Sequence, residues 1–304
     1  MKNPSGNDDR TAARRCGSEP AWVNVLGVRV SAVNLESAVA RIEAAIADGR
    51  KEYVCVRDAH GIVRCQKDAE LRSAHNRAFI VTPDGMPLVW ALKRGGHAES
   101  DRVYGPDLML AILQAGRSSG RRHFLYGATA ATLERLETRL VEKFPDLCIA
   151  DSWAPPFRDL STREEEEVAD RINRSRVDIV WVGLGSPKQE FWMARMRARL
   201  DAPILVGVGA AFDFHAGLKR QAPRIVQRSG FEWAFRLCCE PRRLWRRYAV
   251  VVPSFLALIL LQRLGLRQFP IEEAPGVGHV VENRPEVFGS IVAVGASPNS
   301  SQSR

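Results

Sequence analysis

Three short stretches carry the side chains that could do chemistry. The first is Thr82-Pro83-Asp84-Gly85. Pro83 fixes one backbone angle and Gly85 permits unusual ones, so a carboxylate at Asp84 can be presented sharply where a strand ends. That placement suits a general base removing the proton of a hydroxyl; the same Pro-Asp-Gly triplet also serves as a plain turn signal. The second stretch is Arg102-Val103-Tyr104-Gly105-Pro106-Asp107. Arg102 could pair with a carboxylate or clamp a phosphate, while Asp107 is placed to cap a helix beginning at Leu108. The third is Gly183-Leu184-Gly185-Ser186-Pro187-Lys188-Gln189-Glu190, a glycine-rich turn running into a predicted helix start. Backbone N–H groups and Lys188 would there meet a phosphate or a ribose. Lys188 stands where the last glycine of a GxGxxG fingerprint would be, which weakens a plain dinucleotide-binding reading.

What is missing narrows the chemistry further. No two aspartates lie two apart, so the DxD metal motif of many sugar-nucleotide transferases is absent, and the six histidines follow no zinc spacing. Asp213-Phe214-His215 is a single short pair, weak evidence for a metal. There is no GxxxxGK[ST] and no GxSxG. No metal and no cofactor are expected, and charge developing on a leaving diphosphate would fall to arginines and helix ends.

The elements that must position these residues read as a βα alternation. Strands are predicted at residues 22–30, 52–56, 78–82, 123–126, 148–152, 177–183 and 204–209. Helices are predicted at 34–47, 62–76, 88–93, 108–115, 130–144, 163–174 and 189–200. Strands alternating with helices of this length imply an α/β fold, a Rossmann-like, largely parallel sheet covered by helices. Ligands of such sheets bind beyond the strands' C-terminal ends, which is where Asp58, His60, Asp84, Gly85, Gly185 and Lys188 fall.

After the last strand the character changes. Between residues 217 and 248 nine lysines and arginines face two glutamates, most of the chain's net charge of +9. Trp233, Phe235, Trp245 and Tyr248 are interleaved with them. Such a patch suits phosphates, nucleic acid or an anionic membrane face. Residues 249–261 (AVVVPSFLALILL) are thirteen without a charge, short of the about 20 a helix needs to span a bilayer. Flanked by Arg242, Arg243, Arg246 and Arg247 on one side and by Arg263 and Arg267 on the other, they read as an interfacial anchor, with a buried terminal helix as the alternative. Pro253 would kink or start that helix. The six cysteines form no CxxC pair, which suits the cytosol. Residues 1–20 hold no apolar core of a secretory signal. The organisation expected is a disordered start (1–20), a catalytic α/β domain (21–235), a basic and apolar membrane-associating appendage (236–270) and a disordered tail (271–304).

Taken together, TPDG, RVYGPDL, VGLGSPKQEFW, GVGAAFDFHAGLKRQAP and GFEWAFRLCCEPRRLWRRY resemble the WecG/TagA/CpsF family of bacterial glycosyltransferases, in the family's order and over roughly residues 22–266. The resemblance implies an inverting, metal-independent transfer from a UDP-sugar to a polyprenyl-diphosphate-linked saccharide at the cytoplasmic face of the membrane, in cell-surface polysaccharide synthesis. It implies Asp84 as the base and Arg102 as support for the diphosphate or the acceptor. Gln189 and its neighbours Gly185, Lys188 and Glu190 would hold the nucleotide-sugar, with Gly85, Tyr104 and Asp213 also in the pocket. Arg242, Arg243, Arg246 and Arg247 would complete it from the appendage.

One departure stands out. Many members carry Thr-x-Asn near the end of the second strand; here Val56-Arg57-Asp58 is followed by Ala59-His60. Arg57, Asp58 and His60 would then contact the donor sugar with their own preferences, leaving N-acetylmannosamine, glucose and a uronic acid open, and His60 stands as an alternative base. Two other classes compete: a nucleic-acid-binding protein using the basic patch, and a nucleotide-sugar oxidoreductase, which would need the full glycine fingerprint. A detached apolar appendage also invites self-association.

Overall fold

The computed structural model describes residues 19–271. The disorder expected of residues 1–20 and 271–304 falls, but for 19, 20 and 271, outside the described residues. The chain starts with an antiparallel hairpin, β1 (Trp22–Val25) and β2 (Val28–Ser31), not the single strand the alternation suggested. Leu26 and Gly27 both take positive φ (53° and 80°), the two-residue turn that matches the twist of paired strands. Residues 22–30 alternate on both sides of that turn, which hides the reversal in the sequence.

Then come α1 (Leu35–Ala47), β3 (Glu52–Arg57), α2 (Ala59–Arg64), α3 (Ala69–Asn76), β4 (Ile80–Pro83), α4 (Met86–Arg94) and α5 (Gly105–Ala115). The second half holds β5 (Arg122–Gly127), α6 (Ala130–Lys143), β6 (Cys148–Trp153), α7 (Thr162–Arg174), β7 (Ile179–Gly183), α8 (Lys188–Met196) and β8 (Ile204–Gly207). Four helices close it: α9 (Ala211–His215), α10 (Arg224–Ser229), α11 (Glu232–Cys239) and α12 (Pro241–Arg263). The one helix expected over 62–76 is two, because Asp68 accepts a hydrogen bond from the Leu71 N–H and caps a fresh start at α3. Asp107 does not cap α5: Tyr104 occupies the cap position, and Asp107 sits in the first turn beside the helix's positive end.

β3 to β8 form one parallel sheet in the order β4-β3-β8-β7-β5-β6. Successive residues of each strand serve opposite faces. Val180, Val182 and Leu205 pack under α3, α4, α7 and α8, whereas Ile179, Trp181, Ile204 and Val206 pack under α1, α5, α6 and α9. A strand covered on both faces must be apolar throughout, which is why β7 reads IVWVG with its first four residues fully buried.

α10 and α11 bury no residue fully; α12 buries Leu244 and Phe255 and lies against α2. The far end of α12 is tied to the hairpin: Gln262 accepts from the Leu26 N–H at 3.0 Å and donates to the Asn24 carbonyl at 3.0 Å. Pro253 lies inside α12 without ending it. Helix continuity lengthens the apolar run beyond thirteen residues: Leu244–Arg263, twenty residues of mean hydropathy 1.6, is long and apolar enough to cross a membrane by length and composition, with 11% of its most apolar stretch buried.

Candidate active site

Every parallel strand ends in a loop that carries a residue singled out above or lines a cleft beside one, and these loops share one edge of the sheet. Two clefts open there. A small one, about 250 Å³, lies beyond β3, β4 and β8 and is lined by Asp58, His60, Asp84, Tyr104, Gln189, Arg236 and Arg247, among others. A larger one, about 970 Å³, lies beyond β5, β6 and β7 and is lined by Tyr126, Phe157, Arg158, Lys188, Asp213 and Lys219, among others. Gly185, Gly209 and Ala210 line both, so the clefts adjoin.

In the small cleft Asp84 follows β4, its N–H donating to the Arg57 carbonyl at 2.8 Å. Gly85 has φ −126°, ordinary extended backbone, so the freedom expected of it is unused. Arg102 grips Asp84 twice, Nε to the carbonyl at 2.6 Å and Nη2 to Oδ1 at 3.0 Å. The same Nη2 lies 2.6 Å from Glu232 Oε2, Nη1 donates to Gln227 Oε1 at 3.1 Å, and the guanidinium stacks on the Tyr104 ring at 4.4 Å. Glu232 in turn accepts from Arg236 Nε and Nη2 at 2.9 and 2.6 Å. Burial pushes the Asp84 carboxyl up to about 7; Arg102 pulls it down, while Glu232 and Asp58 push it further up.

Beneath this lies an ion pair that the sequence did not reveal. Arg57 Nη2 meets Glu190 Oε1 at 2.6 Å, the two side chains 5% and 0% exposed, and Arg57 Nη1 donates to Ser186 Oγ at 2.8 Å. Glu190 is therefore the buried counter-ion of Arg57 and lines neither cleft, whereas Arg57 lines the small cleft with its head held by Glu190 and Ser186. Gln189 donates to the same Glu190 oxygen at 2.9 Å, while its own Oε1 is buried without a hydrogen-bond partner. A Cβ on Gly207 would come within 2.6 Å of Met193 and 3.1 Å of Gln189 Nε2, so only glycine lets that amide lie under the cleft.

Asp58 caps α2 through the Gly61 N–H at 2.8 Å. Its burial alone would raise the carboxyl, but Arg57, His60 and that N–H hold it below the ordinary range. His60 is driven by burial, with Arg247 adding to it against Asp58, down to about 4. Arg247 Nη2 lies 2.7 Å from His60 Nδ1; arginine can only donate, so Nδ1 accepts and the proton sits on Nε2. That contact occupies the lone pair a base would need, which weighs against His60 in that role. Of the appendage arginines Arg247 lines the small cleft, whereas Arg242 and Arg246 are exposed elsewhere on α12, Arg246 over the Trp245 ring at 5.4 Å; Arg243 lies on the same helix. The sequence reading missed Glu232, Arg236 and Gln227; the i,i+4 spacing of Glu232 and Arg236 was the one signal available.

The larger cleft is differently built. Tyr126 stacks between Trp192 (4.1 Å) and Trp153 (5.6 Å) at its floor. Asp213 pairs with Lys219 at 2.5 Å on its wall. Among the described residues no group of three or more His, Cys, Asp or Glu is placed to hold a metal ion.

Comparison with known proteins gives the family. An N-acetylglucosaminyldiphosphoundecaprenol N-acetyl-beta-D-mannosaminyltransferase of Bacillus spizizenii is 32% identical over 183 residues, 60% of this chain and 68% of that protein. A Staphylococcus aureus protein of the same name is 29% identical over 177 residues, 58% of this chain and 68% of its own. The model of the glycosyl transferase WecG/TagA/CpsF family matches residues 23–269, nearly the whole described fold and both clefts. The chain therefore belongs to the glycosyl transferase WecG/TagA/CpsF family and is a glycosyltransferase.

Proposed function

We propose that the protein transfers a sugar from a UDP-sugar to a polyprenyl-diphosphate-linked saccharide, with inversion and without a metal, Asp84 acting as the general base. The observation that carries this reading is the placement of Asp84 in a small polar cleft that opens directly into one large enough for a nucleoside diphosphate. In this reading the nucleoside lies in the larger cleft, against Lys188 and the aromatic floor. The diphosphate crosses the shared Gly185–Gly209 lip, and the sugar enters the small cleft. The acceptor hydroxyl attacks the anomeric carbon from the side opposite the diphosphate; the C–O bond to the diphosphate breaks, and UDP departs with the electron pair. The hydroxyl proton passes to the Asp84 carboxylate. Arg236 and Arg247 face the transfer site and would take up the charge of the leaving group.

Burial suits Asp84 to this role, because a base with an affinity near neutrality accepts a proton far better than an ordinary carboxylate. The relatives' printed names favour N-acetylmannosamine as donor and an undecaprenyl-diphosphate-linked N-acetylglucosamine as acceptor. Glucose and a uronic acid remain in the panel because Asp58, His60 and Arg247 wall the sugar's side of the small cleft. An acceptor of that kind is held in a membrane. α12 would meet the bilayer's cytoplasmic face through exposed Trp245, Leu256 and Leu260, with its arginines on anionic headgroups.

The test is thermal stabilisation by UDP and a panel of UDP-sugars with EDTA present, followed by turnover with a lipid-linked N-acetylglucosaminyl diphosphate. Stabilisation by UDP and by one UDP-sugar, then turnover in EDTA, is the expected result. No shift with any uridine nucleotide would overturn the donor assignment.

A further inference from the structure

Arg102 spreads its N–H donors over four acceptors, on Asp84, Gln227 and Glu232. Its Nη2 serves two carboxylates at once, Asp84 Oδ1 at 3.0 Å and Glu232 Oε2 at 2.6 Å, with the shorter contact going to Glu232. Its remaining nitrogens are taken by the Asp84 carbonyl and by Gln227, and its flat face by Tyr104. The guanidinium cannot swing fully toward Asp84 without losing Glu232. Glu232 itself is only 16% exposed and is divided between Arg102 and Arg236.

The chain just ahead of Glu232 packs closely on α4. The turn between α10 and α11 passes through Gly230 at φ +81°, where a Cβ would lie 2.7 Å from the Trp90 ring on α4. A side chain at that position would push α11, and Glu232 with it, off the site.

We infer that Glu232 is a positioning residue which draws Arg102 away from Asp84 and so keeps the Asp84 carboxylate a strong enough base for transfer. This rests on the reading of Asp84 as the base. The groups facing Asp84 are Arg102 and Tyr104 ahead of α5, Glu232 and Arg236 on α11, and Asp58 at the start of α2. Two of these four charged groups, Glu232 and Arg236, belong to the C-terminal helices, whose docking would therefore help set its proton affinity. Removing the Glu232 charge deletes a repulsion and releases Arg102 to Asp84, and both effects favour the ionised carboxylate.

The experiment is the pH dependence of kcat/KM for Glu232→Gln, Glu232→Asp and Arg236→Gln, beside a 13C-carboxyl titration of Asp84 in the free protein. Glu232→Gln should move the acid limb and the Asp84 titration down by about one pH unit and lower the plateau kcat several-fold, and Glu232→Asp should restore both in part. Arg236→Gln leaves Glu232 wholly to Arg102 and removes a cation, so its limb should move up. Opposite movements cannot come from loosened packing, and the Arg236 variant keeps the inference testable if Glu232→Gln does not fold. An unmoved limb in the folded variants, with or without lost activity, overturns the role of Glu232. Asp84→Asn separates the two readings: retained activity removes the base assignment itself, whereas an inactive Asp84→Asn beside an unmoved limb removes only the role given to Glu232.

Discussion

The two adjoining clefts are built on opposite principles. The small one is walled by the ionisable groups Asp58, His60, Asp84, Arg236 and Arg247, and Arg102 beside it is already engaged with Asp84, Glu232 and Gln227. The large one has an aromatic floor and a mixed lining, the cations Arg158, Lys188, Arg195 and Lys219 beside the acids Asp159, Glu165 and Asp213. A site that moves a proton needs groups whose charges set one another. A site that holds a flat base and a diphosphate needs area and a few cations. The proposed function gives the chemistry to one cleft and donor affinity to the other, and that division can be broken.

The largest effect should come from Asp84→Asn, which removes the base while leaving the large cleft intact. A fall in kcat of about 10²–10⁴-fold is expected, with the thermal shift on adding UDP unchanged; a lost UDP shift would show that the two clefts are not separable.

Next comes Glu190→Ala, which strands the buried Arg57 charge under both clefts. Loss of about 3–5 kcal/mol of stability is expected, read by denaturant unfolding. A change below 1 kcal/mol would mean that Arg57 finds another partner or water.

Lys188→Ala should act on affinity alone, raising the KM for the UDP-sugar about tenfold, the order of one charge-assisted hydrogen bond, with kcat and the acid limb of the pH profile in place. A matching fall in kcat would move Lys188 into the chemistry.

Acid titration sharpens the contrast with the smallest signal. Activity should rise through pH about 7 as Asp84 loses its proton. The fold has a different limb. Burial holds His75 and His123 neutral down to about 3 and 4, while the unfolded chain's histidines take protons below about 6.5. Their contribution to stability is thus complete above pH 6.5 and lost as the pH falls toward 4. Unfolding measured from pH 8 to 4 should show a midpoint that declines only in the lower part of this range. Asp84 works the other way, since its raised folded-state affinity stabilises the fold as it takes up a proton below about 7, and a midpoint that fell in step with activity through pH 7 would contradict that raised affinity.

The fold was largely legible because a parallel sheet covered on both faces must use continuous apolar strands, and runs such as IVWVG and ILVG have few other solutions. The hairpin and the α2–α3 break were not, since a positive-φ turn and an Asx cap cost one residue each and leave the periodicity intact. Asp84, Arg102 and Gln189 were visible in the sequence, Asp84 just after a strand, Arg102 ahead of a helix and Gln189 in the first turn of one. Glu190 was misplaced because adjacent helix positions face about 100° apart, and nothing in PKQEF says which side is the core.

By itself, then, the sequence determined the sheet, the edge at which chemistry-bearing loops gather, the basic character of the C-terminal helices and the family to which the chain belongs. Only the tertiary structure decided which cations reach that edge. Arg247 arrives and Arg242 and Arg246 do not, because α12 lies on α2 with one face inward. It also decided that Arg102 serves two carboxylates more than a hundred residues apart in sequence. Charge coupling depends on distances of a few ångströms, and no local pattern along the chain encodes a distance between α11 and the end of β4.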